Sequence, residues 1–215
     1  MIPVFITSRD RPTPLQALVE WLEKAGHEDI FIIDNASTYP PLCEWYESTP
    51  HTVLRMGDNV GPYAFWQRDV RSMTNTQGVR FILTDADVIP DPDCPMDAVE
   101  HFAELMARHQ AAKVGFGLRI DDLPDHYVHK EAVLADEPQY WTNEVEPGAF
   151  WALLDTTFAL YEPWATAPAM AIRTAAPYVA RHDTWYQDSE NLTEEQTYYR
   201  DHARYGSGWS VWGAR

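Results

Sequence analysis

The chain has 215 residues, 45% of them hydrophobic, and sets 33 Asp and Glu against 16 Lys and Arg, for a formal net charge of −17. That length suits a single domain, 1–215, with a sizeable core, and that charge excludes nonspecific nucleic-acid binding, which needs a basic footprint. Two cysteines, Cys43 and Cys94, with no motif around either, exclude a disulfide framework or a zinc cluster, and no apolar stretch approaches membrane-spanning length. The apolar start is interrupted by Pro3 and runs into Arg9-Asp10-Arg11, so no signal peptide is expected. A reducing, cytoplasmic setting follows as the expectation.

The first 120 residues alternate between strand and helix patterns. Val4-Phe5-Ile6-Thr7 reads as a strand, and Thr13-Pro14-Leu15-Gln16 predicts a helix opened by a capping box. Leu15, Leu18, Val19 and Leu22 share one face of it, and Gly26 ends it. Ile30-Phe31-Ile32-Ile33 is apolar throughout, which predicts a strand buried on both faces. A short helix near Leu42, Trp45 and Tyr46 leads to a third strand, Thr52-Val53-Leu54-Arg55. Tyr63, Trp66, Val70 and Met73 predict one amphipathic helix, and Phe81 to Thr84 a fourth strand. Val99, Phe102, Ala103 and Met106 give a further helix, and Val114 to Ile120 a fifth strand. This rhythm predicts an α/β fold, a mostly parallel sheet with helices on both faces.

After about Asp121 the alternation fades. Residues 121–150 carry Pro124, Pro138 and Pro147 among acids and aromatics, and read as an irregular functional excursion. Trp151 to Leu154 and Thr157 to Tyr161 return to strand character, and the chain from Pro163 reads as loops plus a helix near Thr193 to Arg204. Residues 1–120 thus read as a regular α/β half and 121–215 as an irregular half.

Four strands in succession end in polar residues. The first ends in Thr7-Ser8-Arg9-Asp10 and the second in Asp34-Asn35-Ala36-Ser37. The third leads to Asp58-Asn59-Val60-Gly61, and the fourth ends in Asp85-Ala86-Asp87. Any one of these has a plainer reading as turn chemistry. Together, parallel strands bring them to one carboxyl edge, where open α/β sheets bind ligands. An Asp-x-Asp at such an edge suits a hard divalent cation that leaves coordination positions for phosphate and water.

In that order, Ile6-Thr7-Ser8-Arg9, Ile33-Asp34-Asn35-Ala36-Ser37, Asn59-Val60-Gly61 and Leu83-Thr84-Asp85-Ala86-Asp87 resemble a GT-A (Rossmann-like) glycosyltransferase, most like the family 2 type. The resemblance covers about the first 120 residues well and the remainder loosely, and implies a nucleotide-sugar-binding half, 1–120, and an acceptor-side half, 121–215. It implies a nucleotide-diphospho-sugar donor and a divalent metal, Mn²⁺ or Mg²⁺, at the sheet's carboxyl edge. In the family, residues matching Thr7, Ser8 and Arg9 line the nucleotide pocket and one matching Asp34 meets the nucleobase. The segment matching Asn59 and Gly61 packs near the nucleoside, with a basic residue such as Arg68 near the phosphates. The Asp85-Ala86-Asp87 motif meets the ribose and, through Asp85 and Asp87, the metal. A cation held there also answers a physical need, because a diphosphate leaving group is anionic and the chain has only three lysines, Lys24, Lys113 and Lys130.

The resemblance also points to a late histidine that completes the metal shell, at the place of His182, although a loop histidine beside Trp185 fits as well. It points to an acidic pair opening a late helix, one member of which deprotonates the acceptor hydroxyl. Glu194 and Glu195 match in position but depart in residue type, and decoration of the positive helix end behind a Thr193 cap is the plainer reading. Asp155, beside a strand, is a second candidate base. Tyr140, Trp141, Phe150 and Trp151 are candidates for stacking on a carbohydrate acceptor. Trp209 and Trp212 are candidates for contact with a partner or a peripheral membrane surface, or for closing the domain. Two alternatives stand beside this reading. A nucleotidyltransferase has a similar sheet but wraps its triphosphate in a Gly-rich loop, and Ser8-Arg9-Asp10-Arg11-Pro12 has no Gly. A non-catalytic glycan- or nucleotide-binding protein is the other.

Overall fold

The computed structural model describes residues 2–203, so Trp209 and Trp212 lie outside the described residues. The chain runs β1 (Val4–Ser8), α1 (Pro12–Lys24), β2 (Ile30–Asp34), α2 (Pro40–Ser48), β3 (Thr52–Arg55), α3 (Ala64–Gln67), α4 (Val70–Thr74), β4 (Phe81–Asp85) and β5 (Val88–Pro90). It continues α5 (Ala98–His109), β6 (Lys113–Leu118), α6 (Lys130–Asp136), a 3₁₀ turn (Glu137–Trp141), β7 (Glu144–Glu146), β8 (Ala149–Leu154), β9 (Ala159–Tyr161) and β10 (Ala169–His182). A second 3₁₀ turn (Asp183–Tyr186) precedes α7 (Glu194–His202).

The strands form one sheet in the order β3-β2-β1-β4-β9-β6-β10-β8-β7, with β5 paired to β10. β3, β2, β1 and β4 run parallel, as do β6 and β10. β9 is inserted antiparallel between β4 and β6. Its close fit depends on Gly115, where a Cβ would sit 2.4 Å from the Phe158 carbonyl oxygen.

Both faces of the sheet are covered, because strand alternation splits the apolar residues of β1 and β4 between two cores. Val4, Ile6 and Ile82 pack with Leu15, Leu18, Trp21 and Phe102 from α1 and α5. Phe5, Phe81 and Leu83 pack with Phe65 and Val70 from α3 and α4, and with Tyr161. Every one of these side chains is at most 8% exposed, so the central strands read as continuous apolar runs.

Four local expectations are corrected. The helix expected from Tyr63 to Met73 is two short helices, broken where Asp69 takes a left-handed φ of 47°, a conformation a short polar side chain tolerates. Thr13 is not the cap of α1. The helix starts at Pro12 behind Arg11 with no side-chain cap, and Thr13 bonds instead to Glu195. The segment after Pro163 is not mainly loop, because β10 extends for 14 residues. Its pairing with β6 shifts register between Thr174 and Val179, which gives Pro177 a bulge where no ladder donor is needed. The excursion 121–150 contains α6 and β7. The late helix is as expected, with Thr193 and Gln196 forming a reciprocal capping box.

Candidate functional site

β1 lies between β2 and β4, so successive strands leave it in opposite directions and the crevice at its carboxyl end is a topological switch point. Four segments converge there: the β1 end, the loop after β2, the Asp85–Asp87 turn and the β10 end.

Asp87, 4% exposed, is the best-partnered acid at this edge. Its Oδ2 accepts from Arg11 Nη1 at 2.7 Å and from Thr184 Oγ1 at 3.1 Å. Burial alone would raise its pKa, but the charge of Arg11, then the ring of His182, hold the carboxyl below the usual range. Burial likewise works against the Arg11 charge, and Asp87 overrides it and raises the guanidinium's pKa. Arg11 also stacks over Tyr199 of α7 at 4.4 Å. His182 Nδ1 is 3.7 Å from Asp87 Oδ2, buried and without a hydrogen-bond partner, and its ring stacks on Trp185.

Asp85, two residues away, has the opposite character. Burial and the negative charge of Asp87 push its carboxyl well above the usual value. Thr156 donates its hydroxyl to Asp85 Oδ2 at 2.5 Å. Two neighbouring carboxyl groups with diverging environments are the usual arrangement for divided roles.

Asp155 enters from the β8–β9 turn and acts electrostatically on Asp85. Its Oδ1 accepts from the Thr157 amide at 3.0 Å and from the Thr157 hydroxyl at 2.6 Å. The side chain remains exposed at the crevice. Surrounding protein raises its pKa, but the Thr157 bonds, then Lys113 and Arg173, leave it below the usual value. Beneath the turn, Lys113 is fully buried and donates to the carbonyls of Leu154, at 2.9 Å, and Asp155. Its ammonium lies 4.5 Å from the Tyr161 ring, and burial pulls its pKa down to about 7.

The nucleotide-side candidates form a rigid wall. Asp34 is buried, and its Oδ1 accepts from the Ser37 amide at 3.0 Å while Arg55 lies 3.6 Å from Oδ2. Arg9 donates to the carbonyls of Asn35 and Ala36 at 2.7 and 2.6 Å. Ser8 is buried, Thr7 accepts from the Ala86 amide through its carbonyl, and Ala86 is itself buried. Asn59 accepts from the Gly61 amide at 2.9 Å, and Gly61 has a φ of 86°. Arg68 is paired with Asp58 on the surface.

The two late glutamates lie apart from the Asp85–Asp155 pair. Glu194 is exposed on α7. Glu195 accepts from the Thr13 hydroxyl at 2.6 Å and caps the first turn of α1, and burial raises its pKa. Among the described residues no group of three or more His, Cys, Asp or Glu converges to hold a metal unaided.

Several partners lie outside the candidates drawn from sequence. Asn35 fixes the third loop by accepting from the Val60 amide and donating to the Gly61 carbonyl, both at 3.0 Å. Asp10, fully buried, accepts from the amides of Thr38 and Tyr39. Arg11, Lys113, Thr156 and Thr184 complete the acid corner. Asn35 stood in a strand-end motif and had a signal. Arg11 and Thr184 meet Asp87 across long sequence separations that no local pattern announces.

No family model and no curated protein matches this chain. Among solved structures it is similar to apo-UDP-glucose pyrophosphorylase, with a TM-score of 0.42 and 11% identity over 98% of this chain and 84% of that one. Among the described residues no helix is long and apolar enough to cross a membrane.

Proposed function

We propose that this chain is a GT-A-type glycosyltransferase that moves a sugar from a nucleotide-diphospho-sugar to a carbohydrate or other hydroxyl acceptor, with inversion. One observation carries the reading: Asp155, ionised and open to the crevice, stands beside the Asp85–Asp87 turn at the switch point. In this reading Asp155 takes the hydroxyl proton as the acceptor oxygen attacks the anomeric carbon. The bond from that carbon to the diphosphate breaks, and the nucleoside diphosphate leaves with the electron pair. Glu194 and Glu195 stand on α7 and are not among the groups that act on Asp85, and Glu195 is engaged with Thr13, so neither is preferred as the base.

Asp87 and His182 suit a divalent cation, Mn²⁺ or Mg²⁺, because an ionised carboxylate faces a buried ring nitrogen with no other partner. As two protein ligands they would leave the rest of the shell to donor phosphates and water. When bound, the cation neutralises charge on the departing diphosphate. Arg11 is already placed to share that task. Thr7, Ser8, Arg9, Asp34, Asn59 and Gly61 form the nucleoside wall, with Arg68 at its rim.

The β1 loop favours this reading over a nucleotidyltransferase. Its side chains Arg9 and Asp10 are bonded to the chain's own backbone, and the first α1 amide is taken by Glu195. The Asp10 amide is likewise taken, by Ser37 Oγ at 3.0 Å, so two amides of this loop are engaged within the chain. The free cysteines, one half-buried and one buried, accord with a cytoplasmic setting.

Product identity tests the proposal. With Mn²⁺ and a panel of UDP-, GDP- and TDP-sugars, release of nucleoside diphosphate is expected. Formation of nucleoside triphosphate on addition of pyrophosphate would replace this reading with the nucleotidyltransferase one.

A further inference from the structure

Beyond the Asp85–Asp87 turn lies a cleft of about 560 Å³, lined by Asp91, Asp93, Arg119, Asp121 and Trp141 and floored by Val179. Its volume falls in the range of small-molecule sites. It is framed by the same two strands as the candidate cation site. β5 runs from next to Asp87 to Asp91, and β10 runs from Val179 to His182. At about 3.3 Å per strand residue the cleft begins roughly 13 Å from Asp87.

Trp141 is fixed as one wall. Its ring lies directly on Gly117 of β6, where an added Cβ would sit 2.2 Å from Trp141 Cη2, so only glycine admits the indole there. Phe150 meets the ring edge-on at 5.4 Å. The indole N–H is buried and has no acceptor within the chain. The turn bearing Trp141 is docked from below, where buried Arg173 pairs with Glu137 at 3.1 Å and stacks under Tyr140 at 4.3 Å. β8 runs from Phe150 at this ring to Leu154, the residue before the candidate base Asp155.

The polar lining selects the ligand. Arg119 is bonded to Asp91 at 3.1 Å and to Asp121 at 2.8 Å, and Arg181 to Asp91 at 2.9 Å, so the lining carboxylates Asp91, Asp93 and Asp121 still outnumber the two guanidinium groups. Such a lining accepts hydrogen bonds from hydroxyl groups and repels anions. A flat aromatic wall with acceptor oxygens around it matches a pyranose ring, with its apolar C–H face and its rim of hydroxyls.

We infer that this cleft is the acceptor site, that it binds a neutral pyranoside with its apolar face on Trp141, and that it rejects uronic acids. This rests on the glycosyltransferase reading for its role in the reaction, but not for the binding itself. The test is saturation-transfer NMR on the full chain, using methyl β-D-glucopyranoside, methyl β-D-galactopyranoside, methyl α-D-mannopyranoside and methyl β-D-glucuronoside as probes. Transfer is expected to the ring protons of at least one neutral probe and not to the glucuronoside. It should be kept in Trp141→Phe, weakened in Asp121→Asn and lost in Trp141→Ala. UDP and GDP binding with Mn²⁺, measured on the same samples, reports separately on the donor site and on folding of each variant. No transfer to any neutral probe overturns the inference, as does transfer that survives in Trp141→Ala or is strongest to the glucuronoside. Transfer that depends on Trp141 while nucleotide binding is absent leaves the cleft as a sugar site and removes the glycosyltransferase reading instead.

Discussion

The two acids of the Asp85-Ala86-Asp87 turn are separated by a single residue and belong to different chemistries. Asp87 faces Arg11, Thr184 and His182, contributed by the residue before α1, the second 3₁₀ turn and the end of β10. Asp85 faces Thr156 and Asp155, contributed by the β8–β9 turn that Lys113 holds from below. The first corner is rich in positive and donor groups and keeps its carboxylate charged. The second gathers carboxyl groups and pushes the Asp85 pKa up. Adjacent positions on one strand end can thus supply a holding corner and a reacting corner, because the sheet brings different elements to each.

Replacing Asp155 gives the largest expected effect on the reacting corner. Asp155→Asn should lose about 10²–10⁴-fold in transfer rate if it removes a general base, as read from initial rates at saturating donor. A rate within a few-fold of wild type would move the base elsewhere and dissolve the division between the corners.

On the holding corner the largest effect is on stability. Asp87→Ala leaves the mostly buried Arg11 without its partner and should cost about 3–5 kcal/mol in urea unfolding. Asp87→Asn, which keeps the volume and an acceptor oxygen, should cost clearly less. Equal losses would show that packing rather than charge governs this corner.

The pH dependence sharpens the contrast because the two acids carry opposite signs. Asp87 is depressed in the folded state, so its contribution is present above the unfolded carboxylate range and is lost as pH falls through the folded value. Asp85 is raised, so its contribution is complete at low pH and is lost as pH rises through its folded value. Lys113, pulled down to about 7, binds fewer protons folded than unfolded from there to the ordinary lysine range. Stability therefore rises with pH across that window on its account. Asp87→Asn should flatten the acid limb of a stability–pH curve, Asp85→Asn should remove a decline on rising pH, and Lys113→Met should remove the rise above about 7.

A smaller effect tests the link between Asp85 and the turn. Thr156→Val removes one buried hydrogen bond and should cost about 1 kcal/mol by denaturant unfolding. It should also raise the Asp85 pKa further, since Thr156 is a group that lowers it.

The contrast extends to what could be read from the chain. The holding strands were legible because β1, β2 and β4 are apolar on both faces and end in polar groups that needed no distant partner to be noticed. The Thr193 cap of α7 was legible because it stands directly before the acidic first turn of the helix. β10 was hidden by Pro177, which looks like a strand breaker until the bulge gives it a place. The break at Asp69 was hidden because the helical spacing of Tyr63, Trp66, Val70 and Met73 continues across it. Pairings such as Arg11 with Asp87, Thr13 with Glu195 and Thr156 with Asp85 depend on how the sheet is ordered, and no local pattern carries that order. The acids themselves could be listed from sequence, but their division into two corners could not.

The central claim is that Asp87 holds the donor while Asp155 acts on the acceptor, and titration calorimetry with UDP and GDP in the presence of Mn²⁺ addresses it most directly. Wild type and Asp155→Asn should bind one of these nucleotides with the same affinity, and Asp87→Asn should bind it at least about tenfold more weakly, a difference of about 1.4 kcal/mol. Unchanged affinity in Asp87→Asn, or a loss confined to Asp155→Asn, would contradict the account.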